Sequence, residues 1–404
     1  MSEWKKVKLG ELYEVHNGLS KGRQFFGSGY PFLTFSDVFN NWFLPETLDS
    51  LVQSSDKERE ACSIKKGDVF ITRTSETMDE LGMSSVALKD YPNATYNGFT
   101  KRLRPITDEV VPEYIGYYLR SKKFRAKFMA FSSMTTRASL ANDDLLGMEV
   151  EIPDKTVQIR IAAILSRYDS LIENYRKQIK LLEEAAQRLY KEWFVELRFP
   201  GHENTKMVDG LPEGWERKRL VDFAKVTMGQ SPKSEFYNNE RNGLPFHQGV
   251  GSYGNRFVVD ETYSTSYTRI AEPNSVLFSV RAPVGRLNIT KNKIVIGRGL
   301  AAMTHVDGCQ SFLYYLLKER FFKDNIIGNG AIFASISKDE LLNLEFMIPT
   351  DELTYKFNDI AGNIDDAIMK ADNQIRLLAE ARDRLLPRLM GGEMEVKNNI
   401  RERK

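Results

Sequence analysis

The sequence predicts an α+β protein with two repeat-related mixed domains, each followed by a long helix, and the two helices packed together as a coiled coil. Three observations support this fold class. The same segments occur twice, each copy ends in a stretch with coiled-coil spacing, and short apolar runs bounded by turn residues lie between them. A chain of 404 residues is long enough for two or three domains with cores of their own.

The repeat is strongest at the beginning and at the end of each copy. Residues 4–9 (WKKVKL) resemble residues 215–220 (WERKRL), which lie 211 positions later. Residues 138–153 match residues 334–349 without a gap, and here the offset is 196 positions. Because the offset changes within one copy, the middle of the repeat has diverged in length. This is the pattern expected of a constant scaffold that carries two different binding domains.

Turn residues and the repeat divide the chain into six parts. Residues 68–72 and 275–279 are apolar runs that follow turn residues, so we expect strands there, and 114–125 and 312–322 have helical spacing. Pro and Gly between the copies indicate a linker. The predicted parts are a first domain at 1–153, a long helix at 154–198, a linker at 199–214, a second domain at 215–349, a second long helix at 350–392 and a polar tail at 393–404.

Apolar residues at steps of three and four predict the long helices. A helix of about 40 residues rises about 60 Å, which is too long for one small domain to cover. We therefore expect the helices to pack on each other, the alternative being that each packs on its own domain. Pro387 is expected to break the second helix near its end, whereas Lys191, its counterpart in the first copy, is not. The predicted seam consists of Ile164, Tyr168, Leu171, Tyr175 and Leu182 in the first helix, facing Ile364, Ala367, Ala371, Ile375 and Leu378 in the second.

Composition predicts a globular protein of the cytoplasm. Cys62 and Cys309 lie far apart and suit a reducing compartment, and no apolar stretch resembles a signal peptide or a membrane span. The net charge is only +2, but residues 95–137 contain nine basic and three acidic residues, and residues 269–298 contain six basic residues and one acidic residue. Two such basic islands are suited to phosphate contacts, the alternative being ordinary solvated surface.

The layout of the chain resembles the specificity subunits of type I restriction-modification systems. The resemblance rests on the opening at 4–10, on the bridging stretches 196–201 and 210–215, and on an Ile-Pro pair before each long helix, and it covers nearly the whole chain. It implies two target-recognition domains that each bind one half of a bipartite double-stranded DNA site, spaced by an antiparallel, pseudo-twofold coiled coil. It also implies partners, namely two methyltransferase (modification) subunits and motor-nuclease (restriction) subunits. S-adenosylmethionine, ATP and Mg are then expected in those partners.

Motifs for catalysis are weak in this sequence. Residues 25–29 (FFGSG) fit a glycine pattern of S-adenosylmethionine sites, but Tyr30 and Pro31 follow, which favours a loop over a helix. No Walker A segment occurs, and the four histidines lack metal-ligand spacing. We therefore predict a non-catalytic recognition subunit that holds no cofactor or metal itself. The alternatives are the recognition module of a fused restriction-methyltransferase and a coiled-coil scaffold without DNA.

The candidate DNA contacts are polar and basic residues in predicted loops. Arg, Lys, Asn and Gln are the side chains best suited to base edges, and hydroxyls and cations bind phosphates. The candidates are Arg73, Thr74, Lys101, Arg102 and Arg137 in the first domain, and His247, Gln248, Arg281, Arg298 and Asn329 in the second.

Overall fold

The structure is a computed structural model that describes residues 4–75, 81–131, 138–139, 141–321 and 335–394. It divides into two compact units. Unit 1 comprises residues 1–174 and 374–404, and unit 2 comprises residues 175–373. Both boundaries fall inside the long helices. Each unit therefore contains one mixed domain, the first part of one long helix and the last part of the other.

Unit 1 contains the mixed domain that opens the chain. In chain order its elements are β1 (Lys5–Lys8), α1 (Leu9–Leu12), β2 (Tyr13–Asn17), β3 (Phe26–Leu33), α2 (Phe35–Asn40), β4 (Leu51–Val52), α3 (Asp56–Ala61), β5 (Val69–Thr72), β6 (Thr74–Ser75), β7 (Ser84–Val86), β8 (Thr95–Tyr96), β9 (Thr100–Pro105), α4 (Pro112–Arg120), α5 (Lys122–Phe131), β10 (Ala138–Ser139), α6 (Asn142–Gly147), β11 (Glu149–Ile152) and the first part of α7 (Lys155–Tyr190).

Unit 2 contains the end of α7, the linker and the second mixed domain. Its further elements are β12 (Met207–Val208), β13 (Leu211–Pro212), β14 (Glu216–Arg219), α8 (Leu220–Phe223), β15 (Ala224–Met228), β16 (Tyr237–Asn238), β17 (Leu244–His247), β18 (Tyr263–Ser264), β19 (Ile270–Ala271), β20 (Val276–Ser279), β21 (Leu287–Ile289), β22 (Ile294–Ile296), β23 (Leu300–His305), α9 (Gln310–Phe321), α10 (Lys338–Leu342), β24 (Glu345–Ile348) and the first part of α11 (Asp351–Met390).

The two constant ends of each copy pair with each other. In unit 1, β1 runs antiparallel to β11, with Lys5 opposite Ile152. In unit 2, β14 runs antiparallel to β24, with Glu216 opposite Ile348. The segments that are most alike between the copies therefore close each domain and lead into its long helix.

A four-stranded antiparallel sheet lies at the centre of each domain. Its strand order is β2-β9-β5-β7 in unit 1 and β15-β23-β20-β21 in unit 2, so equivalent strands build the same sheet twice. All four residues of β5 and of β20 are buried, as expected for continuous apolar runs, and the strands predicted at 68–72 and 275–279 are confirmed. A smaller sheet in each domain includes one parallel pair, β3 with β8 and β17 with β22.

In each unit the start of one long helix packs against the end of the other, so the helices are antiparallel. In unit 1, Leu165 of α7 shares a buried cluster with Leu389 of α11. In unit 2, Tyr190 of α7 shares a cluster with Phe357 and Ala361 of α11. The same clusters include residues of the mixed domains. Each helix segment therefore packs both on the other helix and on a mixed domain. Packing of the helices on each other and packing on a domain, which the sequence analysis gave as alternatives, occur together.

The predicted seam agrees with burial at most positions but misses one residue in each helix. In α11, Ile368 is fully buried, a full heptad beyond buried Ala361, whereas the predicted Ala367 beside it is half-buried. In α7, Leu171 is 47% exposed, whereas Ile172 is 4% exposed. Two apolar residues are adjacent here, and only Ile172 lies a full heptad beyond the buried Leu165. The other predicted seam residues are buried or half-buried, namely Ile164, Tyr168, Tyr175 and Leu182 in α7 and Ile364, Ala367, Ala371, Ile375 and Leu378 in α11.

The prediction that Pro387 breaks the second helix is also wrong. The helix continues through Pro387 to Met390. Pro387 is exposed, so the carbonyl group that it leaves without a helical partner can bind water. The first helix is the one that changes geometry at the equivalent place, because Lys191–Val195 form a single π-helical turn.

The linker is folded rather than open coil. Its centre is a short hairpin of β12 and β13, with Asp209 and Gly210 in the turn between the strands. Both turn residues have positive φ values, of 52° and 80°, which suits the two-residue hairpin turn that favours Asp-Gly. Phe199 and Trp215 at the two ends of the linker are buried in the core of unit 2.

Candidate nucleic-acid interface

Most described cations of the first basic island bind groups inside their own domain. The guanidinium of Arg102 donates to the carbonyl oxygen of Ser63 at 2.7 Å, and that of Arg104 pairs with the buried carboxylate of Asp68 at 2.7 Å. Arg120 donates to four carbonyl oxygens, and burial lowers its pKa to about 10. The charge count of this island therefore overstates the positive charge that the surface presents.

Three of the predicted DNA contacts are buried. Arg102 is 2% exposed, Lys101 is 4% exposed and His247 is fully buried. The ammonium of Lys101 donates to the side-chain oxygen of Asn142, and burial together with the nearby charge of Arg73 lowers its pKa. The ring nitrogens of His247 lie 2.8 Å from the Ser252 hydroxyl and 3.0 Å from the Asp260 carboxylate. The assignment of these three side chains to DNA contact is wrong in this conformation, because each lies inside the domain and has a partner there.

The other candidates stay predictions. Arg73 is half-buried, and Gln248, Arg281 and Arg298 are exposed. Thr74 lies in β6, where its backbone pairs with Ser139. Arg137 and Asn329 lie outside the described residues.

One short turn is built in the same way in both domains. We call it turn 97–100 in the first domain and turn 297–300 in the second. The first residue of the turn donates its backbone N–H to the carbonyl of Leu33 in one domain and of His247 in the other, at 3.1 and 2.8 Å. The last residue donates back to the first, at 3.1 Å from Thr100 and 3.0 Å from Leu300.

Two further contacts confirm that the turns are equivalent. The third residue of each turn accepts from the residue that follows the central strand, which is Arg73 in the first domain and Val280 in the second, at 3.0 and 2.9 Å. A glycine also approaches each turn closely. A Cβ atom on Gly18 or Gly229 would lie 2.1 or 2.0 Å from a carbonyl oxygen of the turn, which explains why the repeat keeps glycine at both positions.

The hydrogen bonds give a residue-by-residue correspondence that the sequence offsets did not. Arg281 pairs with Ser335 as Thr74 pairs with Ser139, so Arg281 is the counterpart of Thr74 and not of Arg73. In the turns, Gly98 corresponds to Arg298 and Phe99 to Gly299. The two domains therefore place different side chains on the same backbone frame.

Turn 297–300 lies in a cluster of side chains suited to base edges. The Ser231 hydroxyl donates to the Gln248 amide oxygen at 2.9 Å and accepts from the Arg298 backbone N–H at 3.3 Å. Gln248 and Arg298 are both exposed. An arginine can donate two hydrogen bonds to guanine, and a glutamine can bind adenine through two. This cluster therefore has the chemistry needed to discriminate bases.

Each domain is also anchored to the helices by a tyrosine and an aspartate at equivalent positions. In unit 1, Tyr117 of α4 donates to Asp169 of α7, and Arg382 of α11 pairs with the same carboxylate at 2.5 Å. The carboxylate of Asp169 on α7 thus contacts both the first domain and α11. Sequence reasoning missed this cluster, although Asp169 and Asp365 are related by the repeat offset of 196.

Unit 2 builds the corresponding cluster with an arginine from the domain. Tyr315 of α9 donates to Asp365 of α11 at 2.9 Å. Arg256, which is 3% exposed, pairs with Asp365 and, at 3.2 Å, with Glu183 of α7. Burial raises the pKa of Asp365, and the charge of Arg256 opposes that rise. Arg256 therefore connects the second domain to both helices at once.

The described residues also bear on two other kinds of site, metal sites and membrane spans. Across the described ranges, no group of three or more His, Cys, Asp or Glu side chains is arranged to hold a metal ion. Among the helices of those ranges, none is long and apolar enough to span a membrane.

Comparison with known proteins places these features in a family. The family model described as the type I restriction modification DNA specificity domain matches residues 1–184 and 212–375. The chain is 28% identical to the putative type I restriction enzyme MjaX specificity subunit of Methanocaldococcus jannaschii, over 98% of this chain and 94% of that protein. It is 24% identical to the type I restriction enzyme HindI specificity subunit of Haemophilus influenzae, over 98% and 100%. Its fold resembles the crystal structure of an S subunit from M. genitalium, with a TM-score of 0.58, 15% identity and 96% coverage of both chains.

Proposed function

Because this chain belongs to the family of type I restriction-modification DNA specificity subunits, we propose that each of its two domains binds one half of a bipartite DNA site. Membership of this family makes the chain the DNA-recognition component of its system and not the catalyst, and it argues against a scaffold that works without DNA. Specificity subunits act together with other subunits and DNA. The two half-sites and the identity of the partner subunits are likewise proposed.

The equivalent turns are the observation that carries this proposal. Turns 97–100 and 297–300 share their hydrogen bonds, yet one places Gly and Phe where the other places Arg and Gly. A common backbone frame with different exposed side chains is what two recognition domains with different half-site sequences require. Direct recognition of bases depends on such side chains, while phosphate contacts mainly fix orientation.

The proposal can be tested by single substitutions in the complex with a methyltransferase subunit. Sequencing of the modified DNA maps the methylated site for the unaltered chain and for each variant. We expect Arg298→Ala to relax one half-site and Arg73→Ala to affect only the other half-site. Loss of one good bidentate base contact costs about 1–3 kcal/mol of discrimination. Lys293→Ala serves as a control, because Lys293 is an exposed cation of the same basic island that pairs with Glu272. If Arg298→Ala changed both half-sites, modular recognition would be wrong.

We further propose that two methyltransferase subunits dock on equivalent faces of the long helices. Ile159 of α7 and Tyr355 of α11 occupy equivalent repeat positions and are 52% and 51% exposed. Leu181 and Leu377 are likewise equivalent, at 64% and 48%. Apolar side chains exposed at matched positions suit two copies of one partner.

Docking predicts a stoichiometry that can be measured. We expect Leu181→Asp and Leu377→Asp each to weaken binding of one methyltransferase subunit, and the double variant to weaken both, as seen by native mass spectrometry of the reconstituted complex. Lys180→Asp is the control, since Lys180 is a neighbouring exposed residue whose side chain ends in a charged ammonium group. Unchanged stoichiometry in the double variant would place the docking surface elsewhere.

S-adenosylmethionine, ATP and Mg belong, in this proposal, to the methyltransferase and motor-nuclease partners. We expect the purified chain to show no heat of binding with any of the three in calorimetry, and the complex with methyltransferase subunits to bind S-adenosylmethionine. Methyl transfer by the chain alone would instead support the fused-enzyme alternative.

A further inference from the structure

Turn 97–100 holds a phenylalanine out into solvent. Phe99 is 64% exposed, whereas Phe25 and Phe26 of the same domain are 37% and 41% exposed. A single exposed apolar side chain is common on protein surfaces and by itself indicates nothing. What distinguishes Phe99 is the way in which the backbone around it is fixed.

Four hydrogen bonds fix the backbone on both sides of Phe99. Its N–H donates to the side-chain oxygen of Asn97 at 2.6 Å, and its carbonyl accepts from Arg73 at 3.0 Å. Gly98 donates to the carbonyl of Leu19 at 2.9 Å, and the Thr100 hydroxyl donates to the carbonyl of Asn97 at 2.8 Å. The ring is therefore presented by an ordered turn, so little conformational entropy would be lost when it binds a partner.

The segments that hydrogen-bond to the turn carry basic residues. The backbone N–H of Arg73 donates to the Phe99 carbonyl. Burial lowers the pKa of Lys101, and the charge of Arg73 is the second largest cause of that shift. The segment that begins at Leu19, whose carbonyl accepts from Gly98, carries exposed Arg23 and Lys21, and Lys21 is paired with Glu58 at 2.8 Å. An exposed apolar ring on a turn with basic residues in the neighbouring segments suits a DNA step, whose stacked bases lie between two phosphate backbones.

We propose that Phe99 inserts between adjacent base pairs of the half-site bound by the first domain and partly unstacks them. Inserted apolar side chains are an established way for proteins to kink DNA. The second domain has Gly299 at the equivalent place and Arg298 beside it, so it recognises its half-site without such insertion. This inference rests on the proposed function, because it assigns a mode of recognition to one of the two domains.

The test uses the complete complex of the chain with methyltransferase subunits and a duplex that carries the mapped methylated site. The adenine analogue 2-aminopurine, placed at successive positions, becomes more fluorescent where its stacking is lost. We expect one bright step in one half-site with the unaltered chain. Phe99→Ala should abolish this brightening and weaken binding about 5- to 150-fold, the range that corresponds to loss of one stacking contact. Phe99→Leu should retain part of it.

Two controls separate insertion from other roles of Phe99. Ile106→Ala removes another exposed apolar side chain, 55% exposed, at the opposite end of β9 and should leave fluorescence and affinity unchanged. Phe99→Ala should also leave the salt dependence of binding unchanged, because no charge is lost. If the unaltered complex binds the duplex but no position brightens, insertion is wrong while the proposed function stands. If it fails to bind the mapped site, the proposed function is wrong. Release of a methyltransferase subunit by Phe99→Ala would assign the ring to protein docking and overturn the inference.

Discussion

The buried arginine of unit 2 offers a sharp test of how the second domain is attached to the helices. Arg256→Met keeps much of the side-chain volume and removes the charge. The guanidinium of Arg256 pairs with Asp365 and Glu183, lies 3.3 Å from the Tyr315 hydroxyl and lies over the Tyr314 ring at 4.4 Å from its centroid. Without it, the Asp365 carboxylate keeps its hydrogen bonds from Ser311 and Tyr315 but loses its ion-pair partner, although the charge of Lys318 still acts on it.

The magnitude follows from leaving that carboxylate buried. Removing one partner of a buried ion pair costs about 3–5 kcal/mol, because the remaining charge is neither solvated nor paired. We therefore expect Arg256→Met to lower the free energy of unfolding of unit 2 by about that amount. The double variant Arg256→Met/Asp365→Asn should be more stable than Arg256→Met alone, since it also removes the unpaired charge.

The loss should depend on pH in a defined direction. Burial already raises the pKa of Asp365, and the charge of Arg256 opposes the rise, so the variant should raise that pKa further. A carboxyl whose pKa is higher in the folded state than in the unfolded state favours folding more as pH falls. The deficit of Arg256→Met relative to the unaltered chain should therefore shrink between neutral pH and about pH 4, the ordinary range of an aspartate.

Urea unfolding followed by tryptophan fluorescence measures this effect. Trp193 and Trp215 lie in the core of unit 2 and report on its unfolding. Lys293→Met is the matched control, because its ion pair with Glu272 is exposed and should contribute less than about 1 kcal/mol. A cost below about 1 kcal/mol for Arg256→Met, or a deficit that grows as pH falls, would refute the reasoning.

Three further predictions concern the first domain and the helices. Arg382→Met should destabilise unit 1, because it removes the cation beside Asp169. Urea unfolding followed through Trp42, which packs against the core of unit 1, measures this effect, and an unchanged midpoint would mean that the pair contributes nothing. Arg102→Met should lower the free energy of unfolding but leave the recognised DNA sequence unchanged, since the Arg102 guanidinium binds backbone carbonyls. A changed half-site sequence would show that Arg102 does contact DNA. We expect insertion of one heptad into each long helix, after Asn174 and after Asn373, to lengthen each helix by about 10 Å and the spacer of the mapped methylated site by about three base pairs. A spacer of constant length would assign the spacing to the linker instead.

Elements set by local pattern were predictable from the sequence. The strands at 69–72 and 276–279 are continuous apolar runs after turn residues, and most of the buried positions of α11 follow from its heptads. The error at Leu171 arose where two apolar residues are adjacent, because spacing alone did not choose between Leu171 and Ile172. The wrong expectation at Pro387 has a similar origin, since tolerance of an interior proline depends on whether its side of the helix faces solvent.

The candidate site was predictable only in part, because the roles of its cations depend on contacts between distant segments. Arg102 is paired through the carbonyl of Ser63, which lies 39 positions away, and no charge count contains that information. Arg256 was not a candidate at all, since it lies outside both basic islands, yet it contacts both long helices. Exposed Phe99 was not predicted, because base edges and phosphates are bound mainly by polar and basic side chains and an aromatic ring is neither.

The changing offset between the copies has a structural explanation. It is 211 at Gly18 and Gly229, 207 at the central strands, 200 at the two turns and 196 from β10 onward. The offset therefore changes between these segments, and the segments themselves make the same backbone hydrogen bonds in both copies. The length differences therefore lie in the segments between these fixed points, and the order of strands in the central sheet is the same in both copies. At the turns themselves the backbone is constant and only side chains differ. Recognition can thus diverge between the copies in two ways, by loop length and by turn side chain, while β1 with β11 and β14 with β24 keep each domain joined to its helix in the same manner.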